Sequence, residues 1–440
     1  MAKDKAFSRL PGFRDFPPED FRVRSHIFES WRRISRRYGF QEYDGPPLEA
    51  LDLYTEKSGL EIVGQLYAFQ DKGGRDVTLR PEMTPSLARI LGERSRAMPK
   101  PIRWFALPQL FRYERQQRGR LREHFQWNVD VVGEAGVGAD AEILAVALDA
   151  LRDLGLGRDD IVARVSDRRL LTAILRAAGV PEESFLTAFE VVDKVEREEP
   201  SRSAQRLQEE CCLSGPQAEE LLALVENGGL DDVARIHGKD PVVAGALAEM
   251  EEFREILTRL GLGEFLEFDL KIVRGLAYYT GIVFEIFDRK REFRAICGGG
   301  RYDRLLELVG GEPLPATGFG MGDVVLTELL MARGLLPSVE READLFLVSI
   351  TAELRPLAHE LARVHREKGR RVIYALRDQP VKKQFSAAST EGARWVVILG
   401  PDEVGKGVAV VRDMGSGTEE QVSLELLRKG EGLGGDGPSA

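Results

Sequence analysis

FRYERQQRGRLREHFQ, residues 111–126, places five arginines and a single glutamate in its first twelve positions, inside a chain whose formal net charge is −10. On either side, IRWFALPQLFRYE (102–114) and HFQWNVDVVG (124–133) are rich in aromatic and β-branched residues, the composition of strands. The arginines therefore fall at the bend of an expected antiparallel hairpin. Residues two apart on a strand share a face, which puts Arg112 beside Glu114. A guanidinium grips phosphate through paired hydrogen bonds, and a carboxylate accepts from an exocyclic amine; together they are what a bound ATP requires. A solvated hairpin with surface ion pairs would account for the same charges.

Outward from this hairpin, FQEYDGP (40–46), QLYAFQD (65–71) and VTLRPE (77–82) also read as strands. Many strands with few intervening helices imply an antiparallel sheet and an α+β fold. Phe21, Ile27, Phe28, Trp31 and Ile34 recur at helical spacing before Gly39, so a helix is expected over 21–38. Between 166 and 263 the pattern turns helical, as in LLTAILRAAG (170–179) and SFLTAFEVVDKVE (184–196). The economical reading is a helical insertion inside a sheet domain spanning 1–332. Strand patterns return near 266–276, 282–288 and 293–300. After an expected linker at 333–342, strands and helices alternate over 343–428, the mark of a small α/β domain. The Gly-rich 429–440 is expected to be a disordered tail.

Composition narrows the class. Hydrophobic residues make up 43% and charged residues 30%, and no apolar run approaches the ~20 residues a bilayer crossing needs. The N-terminal MAKDKAFSRLPGFRD has no apolar core of a signal peptide, so a cytoplasmic protein is expected. Cys211, Cys212 and Cys297 offer no disulfide framework, and the five histidines show no paired ligand spacing; a protein-ligated metal is not expected. The acidic balance argues against coating nucleic acid along its length. Residues 363–383, with eight basic and two acidic side chains, instead suit a partner gripped locally.

Three more stretches bear on chemistry. LRPEMTP (79–85) sets Glu82 beside Pro81 at a strand end. KIVRGLAYYTG (271–281) supplies Arg274 and two tyrosines after a glycine. AICGGGRYD (295–303) has three consecutive glycines, which allow close backbone approach. Each alone also fits an ordinary turn or strand end.

Taken together, the sequence resembles the histidyl-tRNA synthetase family, a class II aminoacyl-tRNA synthetase family, over nearly its whole length. LPGFRDFPPED (10–20) is similar to the family's opening, YGFQEYDGPPLE (38–49) to its dimer-forming first motif, and FRYERQQRGRLREHFQ to its second. IVRGLAYYTG and AICGGGRYD match the two signatures of the histidine enzyme. The resemblance implies a class II antiparallel-sheet catalytic domain with a helical insertion, followed by a C-terminal α/β anticodon-binding domain. It implies attachment of histidine to its tRNA through a histidyl-adenylate, by a homodimer using ATP with Mg2+.

Carried over residue by residue, Arg112 would clamp the α-phosphate and the substrate carboxylate, and Glu114 would read adenine. Arg274 would stabilise charge at the reacting phosphorus, so Arg274 and Arg112 are the expected catalytic residues. Glu82, Thr84, Gln126, Asp130, Tyr278 and Tyr279 fall at positions that contact histidine, with glycines 298–300 lining the same pocket. Arg115, Gln116, Gln117 and Arg118 would approach the tRNA acceptor end, Arg115 and Gln117 foremost. Lys382, Lys383 and Gln384 resemble a recurring stretch of the anticodon domain. His124 and Cys297 are expected to be packed side chains.

The sequence also departs from the family. The third motif usually ends Gly-x-Glu-Arg, but GFGMGDVVLTELL (318–330) has Val324 and Val325 there, removing a phosphate ligand. Arg120, Arg122 and Arg301 are candidates to replace its charge. Asp130 stands where glutamate is common, and Ala277 where aspartate is. These changes open an alternative: a catalytically silent histidine-binding paralogue like the regulatory subunit of ATP phosphoribosyltransferase. That paralogue lacks an anticodon domain, whereas this chain continues through 343–428.

Overall fold

A computed structural model describes residues 7–55, 64–115, 117–196, 198–273, 279–304, 307, 313–337 and 343–434. They divide into two compact units, 1–336 and 337–440.

In the first unit, α1 (Pro18–Arg37) starts with Pro18, carries Glu19 and Asp20 in its first turn and Arg36 and Arg37 in its last. This charge order complements the helix dipole. Ile27, Trp31 and Ile34 form its buried stripe. Strands β1 (Gln41–Glu42), β2 (Leu48–Ala50), β3 (Tyr67–Gln70), β4 (Asp76–Leu79), β5 (Ile102–Ala106), β6 (Gln109–Phe111), β7 (Glu123–Val132), β8 (Ile161–Asp167), β9 (Leu266–Phe268), β10 (Ile282–Asp288), β11 (Cys297–Arg301) and β12 (Ala316–Gly322) follow. The main sheet runs β1-β5-β7-β12-β11-β10-β8-β9, with β6 paired to the first half of β7; β2, β4 and β3 form a small separate sheet. Only the two edge pairs of the main sheet, β1 with β5 and β8 with β9, are parallel. The expected antiparallel α+β architecture is present.

The hairpin at 111–126 is where it was expected, with a different bend. Pro108 separates β5 from β6, and β6 ends at Phe111. Beyond it Glu114 N donates to Arg112 O at 2.8 Å, so Arg112 and Glu114 lie on a turn and not on a flat strand. A helix the sequence pattern does not reveal, α2 (Val137–Asp153), lies behind the sheet with twelve buried residues. Trp31 stacks on Trp127 at 5.7 Å, and Trp127 meets Phe319 edge-on at 5.0 Å, tying α1 to the middle of the sheet.

Between β8 and β9, six helices occupy Arg168–Ala178, Phe185–Lys194, Pro200–Cys211, Gly215–Asn227, Leu230–His237 and Pro241–Arg259. They enclose an apolar cluster of their own that includes Leu171, Val192, Leu207 and Leu221. Asp167 caps the first by accepting from Arg169 N, and Asp240 caps the last.

The second unit has a sheet ordered β14-β13-β15-β16-β17, built from β13 (Leu345–Ser349), β14 (Val372–Tyr374), β15 (Trp395–Leu399), β16 (Val408–Asp413) and β17 (Glu419–Ser423). The first three strands are parallel. Contrary to a tail beginning at 429, Leu433 is still part of the core, at 2% exposure.

Candidate active site

The site is built on β7 and the strand beside it. Gln126, Asn128 and Asp130 alternate along β7 and share one face. Opposite them in register stand Gly322, Gly320 and Gly318 of β12. A β-carbon at Gly318 would sit 2.2 Å from Asp130 Oδ1, and one at Gly320 would sit 2.6 Å from Gln126 Nε2. These glycines let two polar side chains of β7 lie across the neighbouring strand.

Into this recess come Glu82, Thr84, Arg112 and Tyr279, together with Tyr302, Gly298 and Phe319. Of the residues the sequence assigns to histidine, Glu82, Thr84, Gln126, Asp130 and Tyr279 share this recess. Arg274, Ala277, Tyr278 and Gln116 lie outside the described residues. Among the three glycines 298–300, only Gly298 lines it. A β-carbon at Gly299 would meet Gly318 O at 2.3 Å, and one at Gly300 would meet Ile282 O at 2.6 Å, so those two serve close strand packing.

Asp130 is almost fully buried and accepts a short hydrogen bond from the Tyr302 hydroxyl. Burial pushes its pKa up to about 7, against the pull of that bond. Asn128, 6% exposed, has a buried Oδ1 without a hydrogen-bond partner among the described residues. Sequence reasoning did not single out Asn128 or Tyr302; the strand alternation through Gln126 and Asp130 was the available signal for Asn128.

A second recess adjoins the first, lined by Arg112, Glu114, Gly119, Arg120, Leu121, His124, Gly322, Val324 and Val325. Arg112 lines both, and its Nε donates to Pro81 O at 2.9 Å, bracing the hairpin against the segment that carries Glu82. Glu114 is buried and pairs with Arg120 Nε at 2.7 Å. His124 is not packed away as expected: it faces this recess. Burial, with Arg112, Arg14 and Arg120 nearby, pushes its pKa down to about 3, so its imidazole is neutral. Cys297 is buried in β11 as expected.

The three arginines proposed to replace the third-motif cation separate clearly. Arg120 lies in the recess. Arg122 stacks on Tyr113 at 4.3 Å and donates to Glu114 O at 3.3 Å. Arg301 is buried, donating twice to Asp140 Oδ2 at 2.6 and 3.0 Å and pairing with Asp303 at 3.3 Å. Where the third motif turns into a helix, buried Asp323 accepts from Arg14 Nη1 and Phe125 N, both at 2.9 Å, while Arg14 Nε also holds Glu123 at 2.7 Å.

Arg115 and Gln117 are exposed on the loop beyond the hairpin. In the second unit half of the eight basic residues of 363–383 are engaged within the fold. Arg363 bridges Glu367, Arg366 donates to Val372 O, Arg370 donates to Gly430 O and Arg371 pairs with Asp344. Gln384 is buried, bonded to Ser349 and Gln379, which gives it a structural task. Lys382 and Lys383 are exposed. Among the described residues no cluster of His, Cys, Asp or Glu is arranged to hold a metal, and no helix is long and apolar enough to cross a membrane.

Comparison with known proteins agrees with this geometry. The histidyl-tRNA synthetase family profile matches residues 12–323, and an anticodon binding domain profile matches 344–429. The histidine–tRNA ligase of Opitutus terrae is 42% identical over 96% of this chain and 97% of its own length. The chloroplastic/mitochondrial histidine–tRNA ligase of Arabidopsis thaliana is 41% identical over 94% of this chain and 85% of its own. The crystal structure of histidyl-tRNA synthetase from Nostoc sp. superposes with a TM-score of 0.82 at 25% identity, covering 97% of this chain and 99% of that one. The fold is thus that of a class II aminoacyl-tRNA synthetase followed in sequence by an anticodon-binding domain. The chain belongs to the histidyl-tRNA synthetase family.

Proposed function

We propose that this protein attaches histidine to its cognate tRNA in two steps. In the first, the histidine carboxylate attacks the α-phosphorus of ATP, forming histidyl-adenylate and releasing pyrophosphate. A terminal ribose hydroxyl of the tRNA then attacks the activated carbonyl and AMP departs. The observation that carries this reading is Arg112 lining both recesses, where a carboxylate in one and an α-phosphate in the other would meet it.

Glu82, Thr84, Gln126, Asp130, Tyr278 and Tyr279 would hold histidine. Glu82, Asp130 and the tyrosines offer partners to both imidazole nitrogens, and an analogue lacking those nitrogens leaves buried groups unpaired. Glu114 would accept from the adenine amine and Arg112 would bind the α-phosphate. Arg274 would stabilise the equatorial oxygens as charge builds there. No general base is required for the first step, because the attacking carboxylate is already ionised. The second recess offers the Arg112 and Arg120 guanidinium groups, donors suited to phosphate oxygens, while the Glu114 carboxylate can only accept. Mg2+ would therefore arrive on the ATP phosphates, neutralising part of their charge. Arg115 and Gln117 would meet the tRNA acceptor end and residues 343–428 its anticodon. The 166–263 insertion would remain a separate module, and the protein would work in the cytoplasm as a homodimer through its first motif.

The regulatory-paralogue alternative is less supported. Near full-length relatives bear the ligase name, and the anticodon-domain profile matches 344–429. The decisive test is histidine-dependent exchange of pyrophosphate into ATP, with other amino acids as controls, followed by charging of tRNA. Exchange with histidine alone plus charged tRNA is the expected result. Histidine binding with neither reaction would make the protein a sensor on a synthetase fold.

A further inference from the structure

The segment joining β10 to β11 reads RKREFR at 289–294, four basic residues around one acid and one phenylalanine. It is a built loop. Asp288, fully buried, accepts from Glu292 N and Phe293 N at 3.0 Å each, and Glu292 is neutralised by Arg333 at 3.2 Å. Two of its cations turn toward the protein body: Arg289 donates to Arg158 O at 2.5 Å, and Arg291 lies 3.6 Å from Glu196. Two further contacts reach Gln117 and Arg118. The Arg118 guanidinium lies over the Phe293 ring at 4.9 Å, and Arg294 Nη2 donates to Gln117 Oε1 at 2.8 Å.

That last bond has a chemical consequence. With Oε1 occupied by Arg294, the Gln117 amide presents its NH2 group, so Gln117 acts as a donor and requires an acceptor. Gln117 is further fixed by mutual backbone bonds with Arg120 at 3.0 and 3.2 Å. Arg294 is exposed beside it, and Arg115 and Arg118 are exposed on the same loop, Arg118 also lying 3.5 Å from Glu328. A fixed amide donor among guanidinium groups fits phosphate oxygens of a polynucleotide end.

We propose that the 289–294 loop is a second wall of the RNA acceptor-end site, in which Arg294 locks Gln117 as a donor to the 5′-terminal phosphate and adds its own charge beside it. This rests on the ligase reading for the identity of the RNA. Arg294 is a positioning residue, acting largely through Gln117.

The test measures charging kinetics and filter retention of tRNA for the full-length protein and for Arg294→Ala, Arg294→Lys, Gln117→Ala and the double variant. Arg294→Ala should raise KM for tRNA roughly tenfold, the worth of one charge-assisted hydrogen bond, and flatten the salt dependence of retention by about one ion. The double variant should be no worse than the poorer single one, and removing the 5′ phosphate from the RNA should erase most of the difference. Arg294→Lys should recover part of the salt slope but not the KM, because a lysine does not reproduce guanidinium geometry. A wild-type tRNA KM for Arg294→Ala, additive single effects, or equal loss of charging and pyrophosphate exchange would each overturn the proposal. Wild-type protein that retains tRNA in a 5′-phosphate-dependent way yet charges none would sink the ligase reading and leave this surface standing.

Discussion

The Tyr302 hydroxyl donates to Oδ1 of Asp130, so a tyrosine just beyond β11 moderates the pKa of a buried carboxyl group in the first recess. Burial raises the Asp130 pKa to about 7 and the Tyr302 bond opposes that rise. Removing the bond should therefore move the pKa higher still. In Tyr302→Phe, kcat/KM for histidine should begin to fall at a higher pH than in the unmodified protein. The substrate's own imidazole titrates identically in both, so the shift between the two profiles isolates the enzyme group. Coincident profiles would show that Tyr302 does not tune Asp130.

The same raised pKa has a stability consequence. A carboxyl group whose pKa is 3.8 when unfolded and about 7 when folded holds its proton more tightly in the native state. Folding stability then declines as pH rises from about 4 to about 7 and levels off above. Asp130→Asn abolishes that decline, so its melting temperature relative to the unmodified protein should climb across this window. Thermal melts at pH 5 and pH 8 check the sign. Histidine activation should be severely impaired in the same variant, making Asp130 a residue kept at a cost to stability.

Gly318 offers a steric test of the recess. An added β-carbon would meet Asp130 Oδ1 at 2.2 Å and the backbone Val129 O at 2.7 Å, and the backbone cannot move aside cheaply. Gly318→Ala should lose about 1–3 kcal/mol of stability by overpacking and raise KM for histidine by displacing Asp130. Gly138, the second residue of α2, has nothing within 4 Å of such a β-carbon; Gly138→Ala should gain about 0.4–1 kcal/mol by restricting the unfolded chain. Urea melts of both variants separate crowding from a general effect of losing glycine.

The sequence exposed much of this architecture because the aromatic and β-branched residues of β5 and β7 mark them as strands and the arginine-rich bend between them is local, whereas the glycine-rich β12 gave no strand signal. What escaped had physical reasons. Val137–Asp153 is buried on nearly every side, so its apolar residues show no amphipathic stripe to read. The Glu419–Ser423 strand is an exposed polar edge, without the alternation that marks a half-buried strand. Arg301, Arg370 and Arg371 look like surface cations in a linear string, yet Asp140, the Gly430 carbonyl and Asp344 are their partners, and these meet them only through tertiary folding. His124 read as a packed side chain because nothing in its neighbours announces that the adjoining glycine-turn loop leaves it facing a recess.

The departure at Val324 and Val325 yields the last prediction. With both positions apolar and lining the second recess, neither can offer a charge to the far phosphates of ATP under the proposed function. Arg120 lies in that recess, held by Glu114 at 2.7 Å; once the adenine amine engages Glu114, the guanidinium can turn to phosphate. Arg301 is 7% exposed and committed to Asp140, whose carboxyl burial pushes up to about 6 while Arg301 pulls it down. Arg120→Ala should therefore raise KM for ATP at least about tenfold, the loss of one charge-assisted contact, with KM for histidine and the melting temperature little changed. Arg301→Ala should instead lose about 3–5 kcal/mol of stability, because it strands a buried carboxylate. Exchange kinetics and thermal melts on the two variants distinguish these roles. An Arg301→Ala protein that melts normally but needs more ATP would reverse the assignment and make Arg301 the stand-in for the missing arginine.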